Sequence, residues 1–355
     1  MPAGTLPHMA TEGAEPQAIL TPITAAAVFL TLTVELGAEE TVADLLPDLG
    51  GLRRSVGFRA PEAGLTCVVG IGAGLWDRLL GAPRPAGLHP FRELRGARHT
   101  APATPGDLFF HIRAARLDLC FELGRLLVDR LRGGALVVDE VHGFRSFDER
   151  DLLGFVDGTE NPEGAAANVA VLVGAEDATF AGGSYLVTQK YLHDLVAWNA
   201  LTVEQQEEAF GRTKLDDVEF PDERKAPDSH LALNTIVNDE GEQQQIMRFN
   251  MPFGRVGSEE FGTFYAAYCH TPAVIEQMLE NMFLGKPPGT HDRILDFSTA
   301  VSGGLFFVPS LALLEDPTTI AAPPSPGEKQ AAGPDEKQAP GPGDGSLEIG
   351  SLMGR

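Results

Sequence analysis

The sequence predicts an α+β protein built from two ferredoxin-like units packed together, each with the order β-α-β-β-α-β, and a disordered C-terminal tail. Three observations predict it. Apolar spacing alternates between strand and helix periods in that order over residues 16–152. The same order of elements returns over 153–314. Beyond Leu314 large apolar side chains nearly vanish and prolines accumulate.

In the first unit, Thr24 to Glu35 (TAAAVFLTLTVE) is a β-branched run ending in alternation, hence a strand. From Glu39 to Leu49, Val42, Leu45, Leu46 and Leu49 fall at helical spacing. Leu65 to Gly72 is a short apolar run bounded by glycines, and Asp107 to Ala114 (DLFFHIRA) is a further strand. Arg116 to Arg132 reads as a helix with Leu119, Leu123, Leu126 and Leu127 on one face. The pair Gly133-Gly134 stops it, and Ala135 to His142 returns to strand.

In the second unit, Gly183 to Gln189 is a strand and Lys190 to Ala200 continues as a helix. Gln245 to Phe253 and Gly262 to His270 are strands. Pro272 opens a helix to Gly285 with Val274, Met278, Met282 and Leu284 inward, and Gly304 to Pro309 closes the set. The repeat is one of element order, so it does not establish a duplication. The domain reading is a disordered start (1–15), the two units, a Pro/Gly-rich linker (315–343) and a terminal peptide (344–355). Residues 317–343 hold seven prolines and repeat EKQA, yet Leu347, Ile349, Leu352 and Met353 restore apolar character at the very end. An apolar end on a solvated linker points to docking rather than fraying.

Composition narrows the function. The 355 residues carry 27 Lys+Arg against 50 Asp+Glu, a net charge of -23. Such a chain repels phosphate backbones and anionic membrane surfaces, so the expected partners include no nucleic acid and no membrane. The start shows no basic region followed by an apolar one, hence no secretory signal. Cys67, Cys120 and Cys269 lack metal-ligand spacing and read as reduced thiols in a cytoplasmic protein.

Three features could carry chemistry. The string GFVDGTENP sets Asp157 between glycines, and Asn161-Pro162 closes the turn. It is either a capped loop or a carboxylate held over a site as a proton acceptor. His230 opens the apolar stretch HLALNTIV after a charged loop. It is either a packed histidine or a ligand to a metal or haem iron. Arg248 and Asn250 alternate with apolar residues in QIMRFNMPFG, so they share one strand face, turned to solvent or to a cavity.

These pieces, in this order and at these separations, closely resemble the dye-decolorizing peroxidases. GDLFFHIRAARLDLCFEL, VDEVHGFRSFDERDLLGFVDGTENP, GGSYLVTQKYLHDLVAWNAL, FGRTKLDD and DFSTAVSGGLFFVPS are similar to the bacterial B-type subgroup, over about residues 17–312. The resemblance implies a haem peroxidase with one haem b per chain bound against the second unit. It would use hydrogen peroxide as oxidant and dyes, phenols or other organic molecules as electron donors. It implies His230 as the axial iron ligand, Asp157, Arg248 and Asn250 on the open face, and Arg212 (in FGRTK) on a haem propionate. For the carboxylate behind His230 it suggests Asp296, with Asp292 as runner-up. Glu160 sits either at the access channel or in the turn. Trp76, Trp198, Tyr185, Tyr191, Tyr265 and Tyr268 form the pool of electron relays, each also readable as a core aromatic. A homo-oligomer, dimer or hexamer, is implied too. The tail GDGSLEIGSL resembles the targeting peptide of encapsulin cargo. This implies that residues 344–355 bind an encapsulin shell protein, placing the enzyme in the cytoplasm inside a nanocompartment. The alternative is a haem- or iron-handling cargo protein with incidental peroxidase activity; such a carrier needs no Asp157–Arg248 couple.

Overall fold

The computed structural model describes residues 15–316. Apart from Glu15, Glu315 and Asp316, the expected disordered start, linker and terminal peptide lie outside the described residues. The first half runs β1 (Ala26–Val34), α1 (Glu39–Gly57), β2 (Thr66–Gly72), α2 (Ala73–Leu79), a small hairpin of β3 (Leu94–Arg95) and β4 (Thr100–Ala101), β5 (Leu108–Ala114), α3 (Leu117–Arg130) and β6 (Ala135–Phe144). The second half runs α4 (Gly164–Val171), β7 (Ser184–His193), α5 (Leu195–Asn199), α6 (Val203–Phe210), α7 (His230–Asn234), β8 (Met247–Arg248), β9 (Met251–Arg255), β10 (Glu260–Cys269), α8 (Ala273–Phe283), β11 (Ser298–Ala300), β12 (Gly304–Val308) and α9 (Leu311–Glu315). No helix among the described residues is long and apolar enough to cross a membrane.

Apart from the hairpin, the strands form one ten-stranded antiparallel sheet in the order β6-β1-β5-β2-β12-β7-β10-β8, with β9 on β10 and β11 on β7. Numbered within each half, both β6-β1-β5-β2 and β12-β7-β10-β8 follow the order 4-1-3-2. That is the arrangement expected of a β-α-β-β-α-β unit. The halves join where β12 pairs with β2, at Phe306↔Gly72 and Phe307↔Ile71. Twist curls the sheet until β6 lies on β9. A Cβ on Gly143 would come within 2.7 Å of the Met251 Cβ, so only glycine allows this approach. Inside the curl Phe29 of β1 stacks on Phe264 of β10 at 4.3 Å between ring centres. A second apolar layer holds the buried leucines of α1 and α3, together with Ile275, Leu279 and Met282 of α8.

Three element expectations change. The α1 helix runs past Leu49 to Gly57, because Leu52 and Val56 also pack on the core. Residues 190–193 are strand and not helix: Lys190, Tyr191 and Leu192 pair with Phe264, Thr263 and Gly262, and helix begins only at Leu195. The predicted strand 245–253 splits into β8 and β9 around Phe249 and Asn250. One side chain also turns out: Leu284 lies beyond the end of α8 and is 38% exposed. The connection from β7 to β8 is therefore a long excursion through α5, α6 and α7. It takes the place of the single crossover helix of the first half, and it carries Arg212 and His230.

Candidate active site

A cavity opens between this excursion, the 151–160 loop and the inner strands of the second half.

One wall is the GFVDGTENP loop. Gly154 and Gly158 have φ of +94° and +85°, where a Cβ is strained. At Gly154 a Cβ would also lie 2.4 Å from the Lys214 Cε. The Asp157 amide donates to the Glu149 carbonyl (2.9 Å), and Arg150 bridges to Val156. The loop thus closes on itself and carries Asp157 to the cavity, where Arg248 and Asn250 also line the wall. Asn161 holds Arg248 in place: its Oδ1 accepts from the Arg248 amide (2.9 Å) and its Nδ2 donates to the Arg248 carbonyl (2.8 Å). From sequence, Asn161 reads only as the residue that closes a turn before Pro162. An Asn before a proline is a local signal that says nothing of a partner 87 residues away.

The opposite side is built on α7. His230, its first residue, has Nδ1 2.7 Å from the Asp292 Oδ2. Asp292 is fully buried, and its other oxygen accepts from the Ile294 amide (3.0 Å). A carboxylate only accepts, so Nδ1 carries the proton and Nε2 is the basic nitrogen. Asn234 supports the pair, donating to the His230 carbonyl (2.8 Å) and lying 3.4 Å from Asp292.

Asp296 is therefore not the carboxylate against His230. Asp292 caps the one-turn helix Arg293–Asp296, one oxygen on the Ile294 amide and the other on His230. Asp296 comes at the far end of that turn and meets His99 and His291 instead.

Arg212 follows Gly211, which closes α6 with a φ of +96°. It is 5% exposed, donates to Thr159 (2.8 Å) and has Asp217 at 3.2 Å and Glu160 at 3.6 Å. Glu160 is thus placed as an ion-pair partner at the cavity wall. Of the six aromatic relay candidates, Tyr191 and Tyr265 line the cavity, while Trp76, Trp198, Tyr185 and Tyr268 sit in apolar clusters.

Among the described residues a second histidine, His193, lines the cavity. Its Nδ1 meets the Ser298 hydroxyl (2.8 Å) and its Nε2 the Thr263 hydroxyl (2.9 Å), so neither nitrogen is spare. Burial pushes its pKa down to about 4. The folded form then stays neutral while the unfolded chain takes up a proton below about 6.5. Stability owed to His193 is complete above that value and falls as pH drops toward 4, by about 1.4 kcal/mol per unit. His193→Gln should flatten this stretch of the curve. Denaturant unfolding of both proteins at pH 7, 5.5 and 4.5 checks it; parallel curves would disprove a neutral His193.

Two family models match the chain: "Dyp-type peroxidase, N-terminal" over residues 16–145 and "Dyp-type peroxidase, C-terminal" over 148–313. The chain belongs to the Dyp-type peroxidase family. A curated dye-decolorizing peroxidase from Mycolicibacterium paratuberculosis is 56% identical over 340 residues, 96% of this chain and 93% of that protein. The solved encapsulated DyP-type peroxidase from Mycobacterium smegmatis is 57% identical with a TM-score of 0.84, covering 86% of this chain and 98% of that one. A DypB variant from Rhodococcus jostii, solved in complex with heme, is 54% identical with a TM-score of 0.83, covering 86% and 99%.

A Dyp-type peroxidase is a haem enzyme, and the cavity of this one fits the group. Four of its lining residues leave buried polar atoms without a partner: Gln189 Nε2, Arg212 Nε, Arg248 Nε and Asn250 Oδ1. Such atoms cost free energy unless a ligand or water meets them. Leu231, Ile246, Met278, Leu279, Met282 and Ile294 supply the apolar wall a porphyrin face needs. His230 would hold the iron through Nε2, and Arg212 would meet a propionate.

Proposed function

We propose that this Dyp-type peroxidase reduces hydrogen peroxide in this cavity, where His230, backed by Asp292, would hold the haem and Asp157, Arg248 and Asn250 would act on peroxide. The single observation that carries the reading is the His230 Nδ1–Asp292 contact of 2.7 Å, which frees Nε2 in a cavity also lined by the charged couple. When bound, haem supplies the iron at which peroxide is reduced and through which donors are oxidised one electron at a time.

The residues' own roles follow from their chemistry. The Asp292 carboxylate holds the His230 ring in one tautomer and makes it a stronger donor. Asp157 is the group that would take a proton from one oxygen of peroxide and return it to the other, departing oxygen, directly or through a water. The Arg248 guanidinium stabilises the negative charge that grows on that oxygen. The Asn250 amide orients peroxide or water. The electron donors are dyes, phenols or other organic molecules. A haem- or iron-handling carrier would have no use for the Asp157–Arg248 couple, which favours turnover over storage.

Stopped-flow mixing of the haem-loaded enzyme with one equivalent of peroxide tests this reading. A fast spectral change, reversed on adding a phenolic donor, is the expected result. Bleaching with no reversal would refute it and favour the carrier.

We further propose that residues 344–355 dock this enzyme on the inner wall of an encapsulin shell in the cytoplasm, and that the folded body forms a dimer or a hexamer. The encapsulated relative supports the packaging reading. So does the spacing of Leu347, Ile349 and Leu352, which suits an extended peptide filling shallow pockets. A chain ending at Asp316 should keep its haem content and peroxidase rate but no longer co-purify with co-expressed shells. Fusing residues 344–355 to an unrelated protein should transfer packaging. Loading of the shortened enzyme at wild-type levels would defeat the idea.

A further inference from the structure

Away from the haem cavity, three side chains from separate segments converge. His99 comes from the hairpin between β3 and β4 of the first half. His291 and Asp296 flank the turn that carries Asp292. The Asp296 Oδ1 lies 3.1 Å from the His99 Nε2 and 3.2 Å from the His291 Nε2, and the three atoms all fall within 4.8 Å of one another. We propose that His99, His291 and Asp296 form a second metal site, for a divalent first-row ion, with Zn²⁺ the best match.

The donor set points there first. Two imidazoles and one carboxylate suit zinc and its neighbours, and are too nitrogen-rich for Mg²⁺ or Ca²⁺. The spacing agrees. Zinc bonds of about 2.0–2.2 Å in a tetrahedron put ligand atoms roughly 3.3–3.6 Å apart. The two carboxylate-to-imidazole edges need to open by only about 0.1–0.5 Å to reach that value, and the imidazole-to-imidazole edge, 4.8 Å at most, to close by no more than about 1.5 Å. Exposure agrees as well. The three side chains are 18–28% exposed, so an ion can enter, and a water can complete a coordination sphere with three protein ligands.

Both histidines direct Nε2 at one carboxylate oxygen while their ring centres lie 4.7 Å apart. A single dication in their midst meets all three lone pairs at once. Arg98 opposes it: its Nη1 is 3.5 Å from the same oxygen, but the side chain is 64% exposed and can swing into solvent. Removing Arg98 should therefore tighten binding.

The ion would tie the first-half hairpin to the turn that positions Asp292. Binding only the folded chain, Zn²⁺ should raise the melting temperature by roughly 3 °C or more at saturation.

The test uses the full-length, haem-loaded enzyme, cleared of adventitious metal with a chelator. Zn²⁺ is titrated by calorimetry, and retained zinc is counted by elemental analysis against haem iron. One zinc per chain is expected. His291→Ala and Asp296→Asn should each weaken it at least tenfold with the haem-to-protein ratio unchanged, and Arg98→Ala should strengthen it. His99→Gln, on the hairpin, serves as a second variant should His291→Ala lose its haem. Absence of saturable Zn²⁺ binding up to about 1 mM, a ΔG of only about -4 kcal/mol, would overturn the proposal. So would binding that persists undiminished in His99→Gln.

Discussion

His230→Ala is expected to purify with little stably bound haem. The expectation rests on which nitrogens are spare. His193, the other histidine among the described residues that line the cavity, has both ring nitrogens engaged by hydroxyls. It cannot turn to iron without giving up two hydrogen bonds inside a buried site. The substitution also strands Asp292, which is fully buried and would keep only the Ile294 amide and, at 3.4 Å, Asn234. An unpaired buried carboxylate weakens the cavity wall beyond the loss of the ligand itself. His230 itself belongs to none of the buried apolar clusters, so the chain should still fold, which far-UV circular dichroism can verify. The measurement is the ratio of Soret to protein absorbance, with and without added imidazole. Partial recovery with imidazole is expected, since a free ring can occupy the space vacated. Asp292→Asn should keep the ligand but lower haem affinity by about 10–100-fold, the usual cost of losing a partner behind a metal-bound histidine. An unchanged Soret ratio and ligand-field spectrum in His230→Ala would remove His230 from the iron.

Much of this was legible in the sequence, and the failures have physical causes. The period-2 and period-3.6 runs gave the β-α-β-β-α-β order, and that order implies the 4-1-3-2 arrangement seen in both halves. Residues 190–193 were misread because local pattern does not record the long-range pairing with β10 that holds them in strand. Asp292 and Asp296 sit four residues apart on one short turn, so composition and spacing cannot separate them; only the cap on the Ile294 amide fixes which one reaches His230. Asn161 and His99 escaped for the same reason. Each acts through a partner far away in the chain, and neither stands in a pattern that advertises it.

Arg248→Leu should slow the single-turnover reaction with peroxide by about 10²–10³-fold at full haem occupancy, the usual loss when one preorganised electrostatic donor is removed. The guanidinium is well placed for such an effect. Its Nε is buried without a partner, and its backbone is clamped on both sides by the Asn161 amide, so little reorganisation is needed when charge develops. In a half-buried position that charge counts for more than it would in solution. Leucine keeps bulk and removes the charge. Arg248→Lys should recover part of the rate, because a point charge remains while the planar fork is lost. Asp157→Ala should cost less than Arg248→Leu, since a water can carry the proton in place of the carboxylate but cannot replace a fixed cation. Asn161→Ala leaves the guanidinium in place but frees its backbone. Its cost should fall below that of Arg248→Leu, approaching about 10²-fold only if Arg248 moves by a full ångström. All four variants are compared by stopped-flow at matched Soret ratio, so that haem loss cannot pass for slow chemistry. An Arg248→Leu rate within about threefold of wild type would remove the electrostatic role assigned to this residue. A slower Asp157→Ala than Arg248→Leu would make proton transfer, and not charge stabilisation, the larger barrier at this site.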